Sequence, residues 1–316
     1  MKIVILESLG ISEDQIRTIA SDITDKGHEL VTYNDRIEDI EILKKRASGA
    51  DILVLANMPL KEEVIKSVEN LKMISVAFTG VDHIDMKACR EKNIIVCNAA
   101  GYSTSSVAEL TYGLIFSVLR NIVPLDKATR EGKTKLGFTQ NDLSGKTIGI
   151  IGTGAIGLKV AQVAKAFDCN ILAYSRSEKE EALKLGIKYV SLDELLKNSD
   201  VVSIHIPAND ETKGLISKEK IALMKSNAIF INTGRGSIVD NKALAKALKE
   251  GKIAGAGIDV FDMEPPIPKE YDLLSVSNAV LSPHIGFATE EAMIRRAHIV
   301  FENITKWLGG NPQNLI

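Results

Sequence analysis

The sequence predicts an α/β protein with two doubly wound parallel-sheet domains. Short apolar strands alternate with amphipathic helical stretches along the 316 residues, and this alternation breaks once and then resumes. Parallel sheets with helices on both faces give such a pattern, because their strands are buried on both sides and read as continuous apolar runs. Two series of strands separated by a break therefore predict two sheets.

The first series lies in the N-terminal third of the chain. Its predicted strands are 3–6, 29–33, 51–56, 73–78 and 94–97. Small and turn-forming residues over 98–104 then interrupt the alternation, and we place a domain junction there. A long helix is predicted over 107–121, because Ser and Thr residues precede it and Glu109 falls in its first turn.

The second series follows that helix. Its predicted strands are 147–151, 171–174, 188–190, 201–204, 228–231, 254–259 and 279–281. A last helical stretch is predicted over 288–308, where Trp307 is expected to have an ordinary core role.

Composition excludes several classes of partner. The net charge is −2, and Lys and Arg are interspersed with Asp and Glu, so neither a nucleic acid nor a membrane is expected as a partner. No apolar run approaches the ~20 residues of a membrane span, and the N-terminus lacks signal-peptide features, so we expect a cytoplasmic protein. Cys89, Cys97 and Cys169 lack CxxC spacing, so we expect buried reduced thiols and no metal site.

A glycine-rich segment at 152–157 is the strongest local signal. Gly152, Gly154 and Gly157 follow the apolar strand 147–151 and open a helical pattern. In that context the first glycine allows a tight turn, the second lets a pyrophosphate approach the backbone, and the third lets the helix pack on the strand. The helix N-terminus adds unpaired N–H groups and a positive dipole. The segment predicts a Rossmann dinucleotide-binding domain.

The next strand indicates which dinucleotide binds. A carboxylate usually ends that strand and binds the ribose hydroxyls, but this chain has Ser175, Arg176 and Ser177 there. A guanidinium suits a 2′-phosphate, which a carboxylate would repel. The segment therefore favours NADP as the cofactor. The alternative is that Arg176 is a solvated loop residue that stacks on adenine, with NAD still accepted.

Three further segments place polar residues directly after strands, where open α/β sheets bind ligands. They are 232–236, 259–266 and 282–286. Together with 107–109 and the glycine-rich segment, they resemble the D-isomer-specific 2-hydroxyacid dehydrogenase family. The resemblance runs from about residue 71 to the C-terminus, and the N-terminal strand pattern agrees with it.

The resemblance implies an oxidoreductase that acts on CH–OH groups and uses Arg235, Glu264 and His284 as catalytic residues. Reduction of a 2-oxo acid needs a group that holds the carboxylate and carbonyl, and a group that gives a proton to the carbonyl oxygen. The fork of Arg235 suits the first task, and the imidazole of His284 suits the second. Glu264 is implied as the carboxylate that orients His284.

The resemblance also implies the domain organisation. A flavodoxin-like substrate domain would comprise residues 1–98 and 287–316, and the Rossmann domain would comprise residues 99–286. The chain is similar to the short forms of the family, which have no regulatory domain, and a homodimer formed through the long helix is implied.

Substrate and cofactor contacts follow from the same resemblance. The backbone of Thr79, Gly80 and Val81 resembles the cradle for the substrate carboxylate, although a plain turn with Asp82 or Asp85 capping the next helix is the alternative. The predicted cofactor-binding residues are Thr104, placed before the long helix, Gly152, Gly154, Ala155, Ile156, Gly157, Ser175, Arg176, Ser177, Ile206, Pro207, Thr212, Thr233, Gly234, Asp259 and Gly286. Of these, Pro207 and Thr212 are expected on the adenosine side, and Thr233 and Asp259 on the nicotinamide side. His205 is expected to support the site or to pack.

The resulting hypothesis is an NAD(P)-dependent reductase that converts small 2-oxo acids to D-2-hydroxy acids, with glyoxylate and hydroxypyruvate as leading substrates. The alternatives are a D-lactate or branched D-2-hydroxyacid dehydrogenase and a D-3-phosphoglycerate dehydrogenase. A dinucleotide-sensing protein related to corepressors is an alternative from a different class, because such proteins can keep the three catalytic residues. Formate dehydrogenases carry glutamine where Glu264 stands, so that activity is disfavoured.

Overall fold

The computed structural model describes residues 1–316, which form two compact units. Unit 1 comprises residues 1–103 and 288–316, and unit 2 comprises residues 104–287. The strands are β1 (Lys2–Ile5), β2 (Glu29–Thr32), β3 (Ile52–Leu55), β4 (Met73–Val76), β5 (Ile95–Cys97), β6 (Thr147–Ile151), β7 (Asn170–Tyr174), β8 (Lys188–Tyr189), β9 (Val201–Ile204), β10 (Ile229–Asn232), β11 (Gly255–Ile258) and β12 (Ala279–Leu281).

The helices alternate with these strands. They are α1 (Glu13–Ile19), α2 (Ser21–Thr24), α3 (Ile40–Ala47), α4 (Glu62–Ser67), α5 (Met86–Glu91), α6 (Thr104–Leu119), α7 (Ile122–Arg130), α8 (Ala155–Ala166), α9 (Glu180–Lys184), α10 (Leu192–Asn198), α11 (Lys218–Ile221), α12 (Asn241–Lys249) and α13 (Glu290–Leu308). Short 3₁₀ helices lie at Gly236–Ile238 and Asp272–Ser275.

Unit 1 contains a five-stranded parallel sheet in the order β2-β1-β3-β4-β5. This is the flavodoxin-like strand order. Helix α13 returns to this unit after unit 2, and its side chains Val300, Phe301 and Ile304 join the core formed by β1, β3 and β4. Trp307 packs against the same core, as predicted.

Unit 2 contains a seven-stranded parallel sheet in the order β12-β11-β10-β9-β6-β7-β8. Strand β6 pairs with β7 on one side and with β9 on the other, so the strand order reverses there. Open parallel sheets bind ligands at such a switch point, outside the carboxyl ends of the strands. The predicted fold class, two doubly wound parallel sheets, is confirmed.

The long helix differs from its predicted bounds. It begins at Thr104 rather than at 107, so Thr104 is its first residue instead of preceding it, and Glu109 lies beyond the first turn. Ser106 and Val107 in the first turn are buried, so packing contributes to where the helix starts. N-cap residues in the sequence do not indicate such packing. The helix ends at Leu119 because Asn121 adopts a left-handed φ of 51°, which a continuing helix excludes.

Two further expectations can be compared with the structure. All three cysteines are buried and free, as predicted, and burial raises the pKa of Cys89 and of Cys97 to about 11. No single helix has both the length and the apolar character needed to cross a membrane; α6 and α7 reach that limit only as a pair, bent by 58°.

Candidate active site

The glycine-rich loop lies between β6 and α8, at the switch point of the unit 2 sheet. Gly152 has a left-handed φ of 100°, and a Cβ there would lie 2.6 Å from the carbonyl oxygen of His205. A Cβ on Gly157 would lie 1.9 Å from the carbonyl oxygen of Gly152. The fold therefore requires both glycines.

Gly154 differs from those two glycines, because a Cβ on it would meet no atom within 4 Å. Gly154 and Ala155 are exposed at the start of α8, a 12-residue helix that has no side-chain cap at its N-terminus. Backbone N–H groups at an uncapped helix start bind phosphate well. The open space beside Gly154 fits the approach of a pyrophosphate, so this loop suits a dinucleotide.

Tyr189 connects the glycine-rich loop to the loop after β7. Its hydroxyl lies 2.9 Å from Oγ1 of the buried Thr153 and accepts a hydrogen bond from the backbone N–H of Lys179 at 3.1 Å. Sequence reasoning did not identify Tyr189, because β8 is only two residues long and the contact spans 36 positions. The tyrosine fixes the far end of the loop that holds Arg176.

The residues predicted to meet the adenosine end lie on exposed loops after β7 and β9. The side chain of Arg176 is 81% exposed, and its Nη1 lies 3.5 Å from Oε2 of the equally open Glu211. The hydroxyl of Thr212 donates to the carbonyl oxygen of Pro207 at 2.7 Å, which closes the loop after Ile206. The structure therefore places these predicted residues after the two strands that flank β6 in the sheet.

His205 lies at the carboxyl end of β9. Its Nε2 is 2.8 Å from the hydroxyl of the buried Ser203, and burial lowers its pKa to about 3. A neutral imidazole that accepts the Ser203 hydrogen is consistent with both observations. This supports the prediction that His205 packs or supports the loop rather than acting as an acid.

The loop after β10 presents Arg235. Asn232, which has no exposed surface, donates through Nδ2 to the carbonyl oxygen of Arg235 at 3.0 Å and accepts from the N–H of Gly234 at 3.0 Å. The guanidinium donates from Nη1 to the carbonyl oxygen of Gly234 at 2.9 Å. Sequence reasoning gave no role to Asn232, which shapes this loop through both ends of its amide.

Thr233, in the same loop, contacts the long helix. Its hydroxyl lies 3.1 Å from that of Thr111, which donates its own hydrogen to the carbonyl oxygen of Val107 at 2.8 Å. Thr233 therefore donates in this buried pair. The contact anchors the start of the Arg235 loop on α6.

His284 lies on the loop after β12, in a conformation that few non-glycine residues adopt. Its φ is 57°, in the left-handed region, a strain of about 1–3 kcal/mol that surrounding contacts must offset. The backbone N–H of His284 donates to the carbonyl oxygen of Asp259 at 2.8 Å. Strain of this kind is concentrated at functional sites.

The carboxylate of Asp259 supplies the other contacts that hold this loop. It is 1% exposed and accepts from the hydroxyl of Ser282 at 2.6 Å, from the N–H of Ile285 at 2.9 Å and from the N–H of Gly286 at 2.8 Å. Such charge-assisted bonds are the stronger ones in proteins. The sequence prediction for Asp259 concerned the cofactor only, and its role as the anchor of the His284 loop was missed.

His284 and Glu264 form the predicted pair. Nδ1 of the imidazole lies 2.8 Å from Oε2 and 3.0 Å from Oε1 of Glu264. The His284 side chain is 10% exposed and that of Glu264 is 52% exposed. The ring of Phe287 meets the imidazole edge to face, with centroids 5.1 Å apart. A carboxylate at this distance fixes the ring orientation and directs Nε2 to the remaining side.

The substrate residues predicted in unit 1 follow β4. Asn98 donates through Nδ2 to the carbonyl oxygen of Thr79 at 2.8 Å, and the carbonyl oxygen of Asn98 accepts from Nδ2 of the buried Asn303 at 2.8 Å. Asp85 caps α5 through the N–H of Ala88 at 2.9 Å, as the alternative reading expected for one of the two aspartates. The helix cap uses Asp85, whereas the predicted substrate-carboxylate cradle uses the backbone of residues 79–81. The two roles are therefore compatible.

Comparison with known proteins gives the family. The family model described as D-isomer specific 2-hydroxyacid dehydrogenase, NAD binding domain, matches residues 112–286. The chain belongs to this family. The matched range contains the glycine-rich loop and the whole Arg235, Glu264 and His284 set, and the resemblance inferred from the motifs is confirmed.

Two curated relatives of this chain carry different names. A glyoxylate reductase from Korarchaeum cryptofilum is 40% identical over 284 residues, which cover 87% of this chain and 85% of the relative. A D-3-phosphoglycerate dehydrogenase from Methanocaldococcus jannaschii is 41% identical over 301 residues, which cover 91% of this chain and 57% of the relative.

Solved structures that are similar to this chain include complexes with both dinucleotides. An acyclic imino acid reductase, Bsp5, in complex with NADPH and D-Arg has a TM-score of 0.91 at 30% identity, covering 100% of both chains. A D-lactate dehydrogenase from Aquifex aeolicus, complexed with NAD and lactic acid, has a TM-score of 0.85 at 28% identity and covers 98% of this chain and 96% of its own. An NAD(P)-binding domain is therefore shown.

Proposed function

We propose that the protein reduces a small 2-oxo acid to its D-2-hydroxy acid, with glyoxylate and hydroxypyruvate as the leading substrates. The observation that carries the proposal is the His284–Glu264 pair at 2.8 Å, in the same unit as Arg235 and the glycine-rich loop. The name of the Korarchaeum relative supports glyoxylate as the first substrate to test.

Each residue of the proposed site has one task. The guanidinium of Arg235 binds the carboxylate and the carbonyl oxygen of the substrate, which its planar fork can do at the same time. His284 gives a proton from Nε2 to the carbonyl oxygen, while Glu264 stabilises the protonated ring at Nδ1. The nicotinamide cofactor supplies the hydride when it is bound. In the direction of oxidation, the imidazole takes the proton back.

The backbone of Thr79, Gly80 and Val81 is proposed to hold the substrate carboxylate from unit 1. Thr79 is exposed, and its carbonyl oxygen is committed to Asn98, which leaves the N–H side of the segment for an anion. Unit 1 is accordingly proposed as the substrate domain and unit 2 as the dinucleotide-binding domain.

We also propose that NADPH is preferred over NADH. The exposed guanidinium of Arg176, flanked by the hydroxyls of Ser175 and Ser177, supports this preference because it can turn towards a 2′-phosphate. Its present neighbour Glu211 is 74% exposed at 3.5 Å, a contact weak enough to be exchanged for a phosphate.

A homodimer is proposed as well, formed through α6 and α7. Ile122 and Val123 at the start of α7 are 49% and 55% exposed, which leaves an apolar surface beside the long helix. Mass measurement in solution tests this: a species of twice 34.3 kDa is expected, and a monomer at micromolar concentration would contradict it.

The experiment is a panel of substrates read by nicotinamide absorbance. Glyoxylate, hydroxypyruvate, pyruvate, a branched 2-oxo acid and phosphohydroxypyruvate are each offered with NADPH and with NADH. We expect turnover of glyoxylate or hydroxypyruvate with NADPH, and its loss in Arg235→Ala. Turnover confined to phosphohydroxypyruvate would favour a phosphoglycerate dehydrogenase, and cofactor binding without any turnover would favour the dinucleotide-sensing alternative.

A pair of Arg176 variants tests the cofactor preference separately. Arg176→Ala should raise KM for NADPH by about tenfold or more and leave KM for NADH nearly unchanged, because only the former carries the 2′-phosphate. Glu211→Ala, which removes the present neighbour and its negative charge, should not raise KM for NADPH and should leave KM for NADH close to that of the parent. Equal effects of Arg176→Ala on the two cofactors would contradict the proposed phosphate contact.

A further inference from the structure

Hydrogen bonds join the Arg235 loop to the Glu264 loop at a point that no proposed catalytic step uses. Asn241 is the first residue of α12 and is 4% exposed. Its Nδ2 donates to the carbonyl oxygen of Gly236 at 3.1 Å and to Oδ1 of Asp262 at 2.7 Å. Gly236 follows Arg235 directly, and Asp262 lies two residues before Glu264. One amide group therefore holds both loops.

The second oxygen of Asp262 is held from the other side. Oδ2 accepts from the hydroxyl of Tyr271 at 2.9 Å, and the ring of Tyr271 meets Phe261 edge to face with centroids 5.7 Å apart. Burial, with the nearby Asp262 carboxylate, raises the pKa of Tyr271, so the hydroxyl keeps its proton and remains a donor. Asp262 is thus fixed at both oxygens.

The two loops also touch through their backbones. A Cβ on Gly236 would lie 2.0 Å from the carbonyl carbon and oxygen of Phe261. Because no space separates the two backbones, a displacement of one loop must move the other. Asn241 hydrogen-bonds to both loops beside this contact, so a shift of its amide group would displace both.

Asn241 contributes to this contact through the N–H donors of its amide. Its Oδ1 is buried and makes no hydrogen bond, which is unfavourable for a buried acceptor. A leucine of similar size would avoid that cost, yet it could not donate to Gly236 and Asp262. Asn241 therefore hydrogen-bonds to both loops through Nδ2 while its own Oδ1 has no hydrogen-bond partner.

We propose that Asn241, Asp262 and Tyr271 form a loop brace that sets the position of the Glu264 carboxylate against His284 and relative to Arg235. The three are positioning residues, because they act through Glu264 rather than on the substrate. The inference rests on the proposed function for its catalytic consequence, but the geometry it predicts can be measured without any turnover.

The test is the NMR spectrum of the His284 imidazole nitrogens at one fixed pH, in the protein without substrate. The chain has only five histidines, so a His284→Asn spectrum assigns the resonances. Glu264→Gln gives the reference change in the Nδ1 resonance that follows loss of the carboxylate contact. Tyr271→Phe and Asn241→Leu should each give a measurable part of that change, because the carboxylate is less well held.

Asp240→Ala is the matched control. Asp240 caps the same helix by accepting from the N–H of Ala243 at 2.9 Å, so its loss weakens the start of α12 without touching the brace. The Nδ1 resonance of His284 should stay at the parent position in this variant. A shift as large as that in Asn241→Leu would assign the effect to helix stability and overturn the proposal.

The catalytic consequence is read from the steady-state kinetics of glyoxylate reduction. In the brace variants kcat should fall in the order of the NMR changes, while KM for NADPH stays unchanged. Unchanged Nδ1 resonances in both brace variants would overturn the brace, even if the parent reduces glyoxylate. Changed resonances in the variants, with a parent that reduces no 2-oxo acid, would retain the brace and reject the proposed function.

Discussion

His205 provides a quantitative test of how unit 2 is packed behind the glycine-rich loop. Its carbonyl oxygen lies 2.6 Å from the position of a Cβ on Gly152, and its Nε2 is 2.8 Å from the Ser203 hydroxyl. Burial lowers the pKa of this imidazole from 6.5 to about 3. The perturbation is the replacement His205→Gln, whose amide can keep the Ser203 contact but does not titrate.

The sign and size of the effect follow from linkage. The folded state holds the imidazole neutral, so as pH falls below about 6.5 the unfolded chain binds the proton first. The stability contribution is full above that pH and is lost progressively as pH falls towards the folded pKa of about 3. At pH 4.5, two units below the unfolded pKa, about 1.4 kcal/mol per unit gives a loss of roughly 2 to 3 kcal/mol.

The assay is urea unfolding followed by far-UV circular dichroism at pH 7 and pH 4.5. Circular dichroism is needed because Trp307, the single tryptophan, lies in unit 1 and does not report on His205. Between the two pH values the parent should lose roughly 2 to 3 kcal/mol more free energy of unfolding than His205→Gln. His298→Gln, at an exposed position, is the control and should behave like the parent. Equal losses in the parent and in His205→Gln would show that a buried, neutral His205 does not contribute to the pH dependence of stability.

Three further substitutions test other contacts. Gly157→Ala should lower the melting temperature of the protein without cofactor by several degrees, because its Cβ would lie 1.9 Å from the carbonyl oxygen of Gly152. Gly154→Ala, whose Cβ would meet no atom within 4 Å, should melt like the parent and lose only dinucleotide affinity. Equal melting temperatures of the two variants would contradict this prediction. Asp259→Asn should reduce kcat at least about tenfold, because an amide cannot accept all three hydrogen bonds of the His284 loop, and a kcat equal to that of the parent would show that these bonds do not position the loop. Tyr189→Phe should raise the Kd for NADPH about fivefold in a fluorescence titration by freeing Thr153, and an unchanged Kd would reject that link.

Features encoded by local pattern were predictable from the sequence. The strand over 147–151 has the bounds predicted for it, because a fully buried parallel strand leaves an uninterrupted apolar run. The roles of Gly152 and Gly157 in the turn followed from residue type alone, since only glycine fits a backbone packed so closely. Motif order was enough to give the family.

Features set by long-range contacts were not predictable. The start of α6 at Thr104 is followed at once by the buried Ser106 and Val107, and no capping pattern in the sequence predicts that burial. Asp259 was recognised as a polar residue after a strand, but its three donors come from a loop more than 20 positions later, and only the tertiary register brings them together. Tyr189 was missed for the same reason.

The role of His284 as the proton donor is tested by the steady-state rate of glyoxylate reduction by NADPH in the parent and in His284→Asn. Asparagine can contact Glu264 but cannot deliver a proton, so kcat/KM should fall by about 10² to 10⁴ while the Kd for NADPH, measured by fluorescence, stays the same. Such a loss with intact cofactor binding is the result this mechanism predicts. A variant that reduces glyoxylate as fast as the parent would contradict the assignment of His284 as the acid.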